Sequence, residues 1–151
     1  MYRDWIINVL YPILDCFCRY NALDTCKPKD YKMTFCEWEL LAKQGIAAAE
    51  YNLGLMFSRG EGVPSDDKEA VKWYQLAAEQ GLAQSQTNLG LMFGKGQGVE
   101  QDYVEAHKWF NIAGVNGNEI GRRNADIVEK KMTPGQIAVA VGLTRKWLEK
   151  L

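Results

Sequence analysis

The chain repeats itself at a fixed offset, and no other feature constrains its fold as much. Gly45-Ile-Ala-Ala-Ala-Glu-Tyr-Asn-Leu-Gly-Leu-Met-Phe57 recurs as Gly81-Leu-Ala-Gln-Ser-Gln-Thr-Asn-Leu-Gly-Leu-Met-Phe93, 36 residues further on. Gly60/Gly96, Gly62/Gly98, Val63/Val99, Asp66/Asp102, Ala70/Ala106, Trp73/Trp109 and Ala77/Ala113 continue the alignment without a gap, and 17 of 36 positions are identical. A period of this length marks stacked supersecondary units, each too thin to bury its own apolar face.

The offset extends outward. Leu76, Ala78, Gln80 and Gly81 map back onto Leu40, Ala42, Gln44 and Gly45, and Asp66 maps onto Asp30; forward, Gly81 maps onto Gly117 and Asn88 onto Asn124. The expected organisation is an N-terminal cap or degenerate repeat helix over 1–29, an array over 30–131 and a closing helix over 132–151. Within the array lie a half repeat (30–44), two full repeats (45–80 and 81–116) and a second half repeat (117–131).

Each repeat reads as two helices. Ala49, Asn52, Leu53, Met56 and Phe57 fall at helical spacing, and Gly60-Glu-Gly62 stops that helix by supplying a left-handed cap. The second helix opens at Asp66 with Glu69 three residues on, a pattern repeated by Asp102 and Glu105 that predicts reciprocal capping. Its buried stripe is Ala70, Trp73, Tyr74 and Ala77. Gly54/Gly90 and Ala77/Ala113 let helices approach closely, and Trp73/Trp109 fill the space between layers. The expected fold is all-α: a right-handed α-solenoid of antiparallel helix pairs with capping helices at both ends.

The pattern Ala49, Leu53-Gly54, Phe57, Gly60-Glu-Gly62-Val63, Asp66, Ala70, Trp73, Ala77 resembles the Sel1-like repeat, a relative of the tetratricopeptide repeat. The next copy is Ser85, Leu89-Gly90, Phe93, Gly96-Gln-Gly98-Val99, Asp102, Ala106, Trp109, Ala113. The resemblance implies a scaffold for protein–protein contact, common in bacteria, and no chemistry of its own. Met132-Thr-Pro-Gly-Gln-Ile-Ala-Val is similar to the terminal helix of bacterial Sel1-like arrays. There Thr133, Pro134 and Gln136 form a capping box, and Ile137, Val141 and Leu148 are expected to cover the last repeat.

By analogy with tetratricopeptide packing, the first helix of each pair lines the concave side. The groove-facing slots are then Tyr51, Leu55, Ser58 and Arg59; Thr87, Leu91, Gly94 and Lys95; and Arg123, Ile127, Lys130 and Lys131. Arg59, Lys95 and Lys131 share one slot, and Leu55, Leu91 and Ile127 share another. A cationic row beside an apolar strip suits a protein or peptide partner carrying acidic and apolar side chains. A solvated row offsetting helix dipoles is the plainer reading. Asn52, Asn88 and Asn124 recur too, either clamping a peptide backbone or bonding to the neighbouring turn.

Other chemistry finds little support. Gly94-Lys-Gly-Gln-Gly98 looks like a phosphate loop, but no strand precedes it and Ser58-Arg-Gly-Glu-Gly62 shows it to be the repeat turn. His107 is the only histidine, and its repeat partners Val71 and Phe35 are apolar, so it is read as a packing residue. No nucleophile–base pair stands out, and neither enzyme activity nor a cofactor is expected; a hydrolase is the remote alternative. The net charge of −1 argues against a globally basic nucleic-acid binder.

The N-terminal run Trp5 to Leu14 is too short to span a bilayer and lacks the flanks of a secretory signal, so a buried cap is expected, and with it a cytoplasmic protein. A signal-like segment or membrane tether over this run, and with it a periplasmic or membrane-associated envelope adaptor, is the alternative. Cys16, Cys18, Cys26 and Cys36 lack a C-x2-C knuckle and a nearby histidine, so no zinc site is expected. Reduced thiols packing as small apolar groups are the expectation, and disulfides, which would need an oxidising compartment, are the alternative.

Overall fold

The computed structural model describes residues 35–150, and every regular element among them is an α-helix. They are α1 (Phe35–Lys43), α2 (Ala47–Arg59), α3 (Asp67–Glu79), α4 (Ala83–Lys95), α5 (Tyr103–Val115), α6 (Glu119–Glu129) and α7 (Pro134–Leu148). Helices α2 and α3 make the first full repeat, α4 and α5 the second. Each helix packs on its neighbour in the chain from α1 to α6, and α7 returns to pack on α5. The result is an all-α solenoid.

The helix boundaries follow from local chemistry. Gly60 and Gly96 end α2 and α4 at φ 68°, each donating its N–H to a methionine carbonyl four residues back. Only glycine takes that left-handed conformation without a Cβ penalty. Asp66 and Asp102 cap α3 and α5, each carboxylate accepting from two backbone N–H groups of the first turn. The reciprocal half of those boxes does not form. The Asp66 N–H donates to the Phe57 carbonyl at 2.9 Å and the Asp102 N–H to Phe93 at 3.0 Å, while Glu69 and Glu105 pair with Lys72 and Lys108 instead. The long inter-helix turn folds back onto the preceding helix and takes the donor that a glutamate would otherwise satisfy. At Thr133 and Gln136, after a shorter connection, the full box is present.

The core is built by rings passing through glycine gaps. A Cβ on Gly54 would lie 2.6 Å from the Tyr74 ring, and one on Gly90 would lie 2.7 Å from Phe110. The second helix thus presses its aromatic residue into the space a side chain would occupy on the first. Trp109 is buried and Trp73 half-buried, both packed in the core between helices. Between repeats, Gly121 of α6 lies against Ala113 and Thr87, and Leu91 packs with Phe110, Ala125 and Val128.

Two further sequence expectations need correction. The face of α7 that meets α5 carries Ala140, Thr144 and Trp147, with Ile137 and Leu148 half-buried beside it; Val141 points outward at 43% exposure. Trp147, the largest of these side chains, fixes the rotation of α7 by meeting Trp109 edge-on at 6.2 Å. Cys36 on α1 is disulfide-bonded and not a reduced thiol. Cys16, Cys18 and Cys26, the Trp5–Leu14 run and the rest of the 1–29 cap lie outside the described residues.

Candidate functional site

The slots expected to line the groove divide into three kinds. In the first repeat they gather into one polar cluster. Tyr74 reaches from α3 through the Gly54 gap, and its hydroxyl faces the polar side chains of Asn88 of α4 and Ser58 of α2, which favour its ionised form. Tyr51 packs on the Tyr74 ring with centroids 6.0 Å apart, and the Arg59 charge also acts on that hydroxyl. Burial pushes the Tyr74 phenol above its ordinary pKa, and Asn88 and Ser58 only partly oppose this. It is therefore neutral at physiological pH and serves as a hydrogen-bonding group.

The apolar strip survives as half-exposed surface. Leu55 and Leu91 are half-buried, and Ile127 is 54% exposed because no further helix follows α6 on that side within the described residues. The cations project outward. Arg59 lies 3.7 Å from Glu61, and Lys131 stands over the Tyr103 ring at 5.7 Å. Lys95 is exposed with no ion-pair partner among the described residues, since the residue in the Glu61 slot is now Gln97. Arg123 pairs with Glu119 at 3.6 Å, and Lys130 is exposed at the end of α6.

Thr87 and Gly94 do not present groups to a partner. Thr87 is 5% exposed and donates to the Ala83 carbonyl at 3.0 Å, because Gly121 of the next repeat covers it. The Gly94 carbonyl accepts from Gln101 at 2.8 Å. Asn52 bonds within its own helix to Ala48, and Asn88 is engaged by Tyr74. The sequence reading missed Tyr74, which lies in a buried stripe whose repeat partner is Phe110. The clue was the hydroxyl itself, opposite a glycine and one repeat before a recurring asparagine.

The single histidine offers no open catalytic centre. His107 is 3% exposed between α5 and α6, with Asn111 at 3.0 Å and Glu129 at 3.7 Å. An open cleft of about 420 Å³ lies between α3, α5 and α7, floored by Phe93, Trp109 and Trp147. Its charged wall includes Glu105 and Lys108, paired with each other, and Glu79, held by Gln75 at 3.1 Å. Among the described residues, no serine, cysteine or histidine lines it. No described helix is long and apolar enough to cross a membrane.

Stacked helix pairs of 36 residues with an open first-helix side define an α-solenoid of the interaction-scaffold class. Residues 47–82 and 83–118 match the Sel1 repeat model, two residues out of phase with the boundaries drawn from the internal alignment. Residues 47–118 are thus two Sel1 repeats, supported by solved neighbours of the same repeat class. It is similar to the solved structure of c5321, a protective antigen present in uropathogenic Escherichia coli strains that displays an SLR fold. The TM-score is 0.73 and the identity 41%, covering 75% of this chain and 24% of that one. A Sel1 repeat protein from Oxalobacter formigenes is similar with TM-score 0.58 and 34% identity, covering 60% of this chain and 37% of that one. The chain thus accounts for well under half of either neighbour. No curated protein matches it. Sel1 repeats are in general scaffolds for protein–protein contact, and the fold is typically non-catalytic.

Proposed function

We propose that this protein is a non-catalytic scaffold that binds a partner polypeptide along the side formed by α2, α4 and α6. The observation that carries the reading is the pairing of two rows at a 36-residue interval: Leu55, Leu91 and Ile127 as an accessible apolar strip, and Arg59, Lys95 and Lys131 as an outward cationic row. The Tyr51–Tyr74–Asn88 cluster adds hydrogen-bonding capacity at one end. A segment with alternating acidic and apolar side chains complements this face.

Selection from a phage-displayed peptide library tests the proposal. The expected winners are acidic and apolar, and the triple reversal Arg59→Glu, Lys95→Glu, Lys131→Glu weakens them about tenfold or more, as three exposed charge contacts would. Reversal of Lys68, exposed at the start of α3, leaves them unchanged. Equal affinity of wild-type and triple-reversed protein would remove this face from consideration.

The disulfide at Cys36 favours the envelope alternative over the cytoplasm, because disulfides persist in oxidising compartments. Cell fractionation with thiol trapping decides the matter: free Cys36 thiol in the cytoplasmic fraction would return the protein to the cytoplasm.

A further inference from the structure

The two full repeats differ at one buried slot whose chemistry decides whether it responds to pH. On α4 the slot is Gln86, fully buried. Its Nε2 donates to the Ala78 carbonyl at the end of α3 at 3.0 Å, and its Oε1 accepts from Asn116 Nδ2 beyond the end of α5 at 2.9 Å. One amide therefore ties three helices, and it needs both a donor and an acceptor to do so.

One repeat earlier the slot is Glu50 on α2, buried at 4% exposure. Half of the clasp is conserved between the repeats: Gln80, which stands where Asn116 stands, donates Nε2 to Glu50 Oε2 at 2.7 Å. The other half has changed. The residue in the Ala78 slot is Ala42 of α1, whose carbonyl accepts from the Gly45 N–H at 2.8 Å as Ala78 accepts from Gly81 at 3.0 Å. Gln86 gives Ala78 a second donor. An ionised carboxylate has none to give Ala42, whereas a protonated carboxyl has one.

We propose that Glu50 is a proton-operated latch between α1 and α2: protonated, it donates to the Ala42 carbonyl and completes the clasp that Gln86 makes permanently; ionised, it sets an anion against that carbonyl and loosens α1 from the array. The groups around it agree with this. Burial is the largest influence and raises the carboxyl above its ordinary range, the Gln80 hydrogen bond opposes it, and the Glu79 charge on α3 raises it further. On α1, Glu39 and Lys43 pair with each other at 3.1 Å, and Glu37 is exposed in the first turn. On α2, Arg59 lies at the far end beside Glu61. A raised folded-state pKa means the docked form binds the extra proton, so docking strengthens as pH falls through that raised value towards the ordinary one of 4.5 and weakens as pH rises.

Hydrogen exchange of the full chain, corrected for intrinsic rates, reads the latch at the amides of Leu41 to Gly45. A one-unit difference in pKa between docked and undocked α1 corresponds to about tenfold in their opening. Opening of these amides in the wild type is expected to be several-fold less frequent near the carboxylate range than at neutral pH. Glu50→Gln is expected to hold the low-pH level of protection at both. Gln86→Glu is expected to transplant the pH dependence to the α3–α4 junction, read at Gly81. Wild-type protection that is the same at both pH values, or pH dependence that survives in Glu50→Gln, overturns the latch. A folded Gln86→Glu protein with no new pH dependence does so too. If Gln86→Glu fails to fold, the Glu50→Gln comparison alone decides, since glutamine is the residue this slot already carries in the second repeat.

Discussion

Repeat 45–80 and repeat 81–116 are the same object built twice, and they differ where the neighbours differ. Both end their first helix on a left-handed glycine and open their second on an aspartate cap. Both press a ring through a glycine gap. The ring carries a hydroxyl only in the first, where Ser58 and Asn88 receive it; in the second, Gly94 and Asn124 occupy those slots and the ring is Phe110. Trp73 is half-buried, whereas Trp109 is 4% exposed beneath Trp147 of α7. Identical positions set the frame, and the positions that vary report what each repeat has beside it.

The largest expected effect separates the two tryptophans. Trp109→Ala should cost about 4 kcal/mol and Trp73→Ala about 2, since the cavity left is larger where the ring is enclosed; chemical denaturation that gives equal losses would show that α7 adds nothing to the second repeat. Next come the turn glycines. A Cβ on Gly98 would lie 2.3 Å from the Asp67 carbonyl oxygen, while one on Gly62 would meet only the tip of Met56 at 3.1 Å. Both have positive φ. Gly98→Ala should therefore lose about 3 kcal/mol and Gly62→Ala about 1.5, and thermal melting with the reverse order would refute the inter-repeat contact.

Smaller effects sharpen the comparison. Tyr74→Phe converts the first repeat to the second at that position and should lose about 1 kcal/mol, the worth of its hydroxyl's polar contacts. No loss would mean that Ser58 and Asn88 find other partners at once. Ser85 is fully buried with no hydrogen-bond partner for its hydroxyl among the described residues, and Ala49 fills the same slot one repeat earlier. Ser85→Ala should raise stability by about 1 kcal/mol, because an unsatisfied buried hydroxyl disappears; a decrease in the denaturation midpoint would contradict this.

The frame was legible in the sequence because a repeat is its own control. The glycine stops, the aspartate caps and the close-packing glycines each occur twice at one offset, so chance and function separate without outside help. What escaped was whatever the offset cannot see. Glu69 looks like a capping partner for Asp66, but the competing donor-acceptor pair comes from the turn's return to Phe57. Thr87 sits at the same slot as half-buried Tyr51 and exposed Arg123, yet only Thr87 lies under Gly121. Val141 falls at plausible spacing for the buried face of α7, and the bulk of Trp147 turns that helix away from it. Exposure in a stacked array depends on the following unit, which no single window of sequence contains.

The contact between Gly98 and the first residue of α3 has a wider consequence. There, main chain rests on main chain, so the pitch at which successive units lean on each other is set by atoms every sequence shares. Side chains on the outer rungs can then drift towards new targets without bending the ladder that carries them.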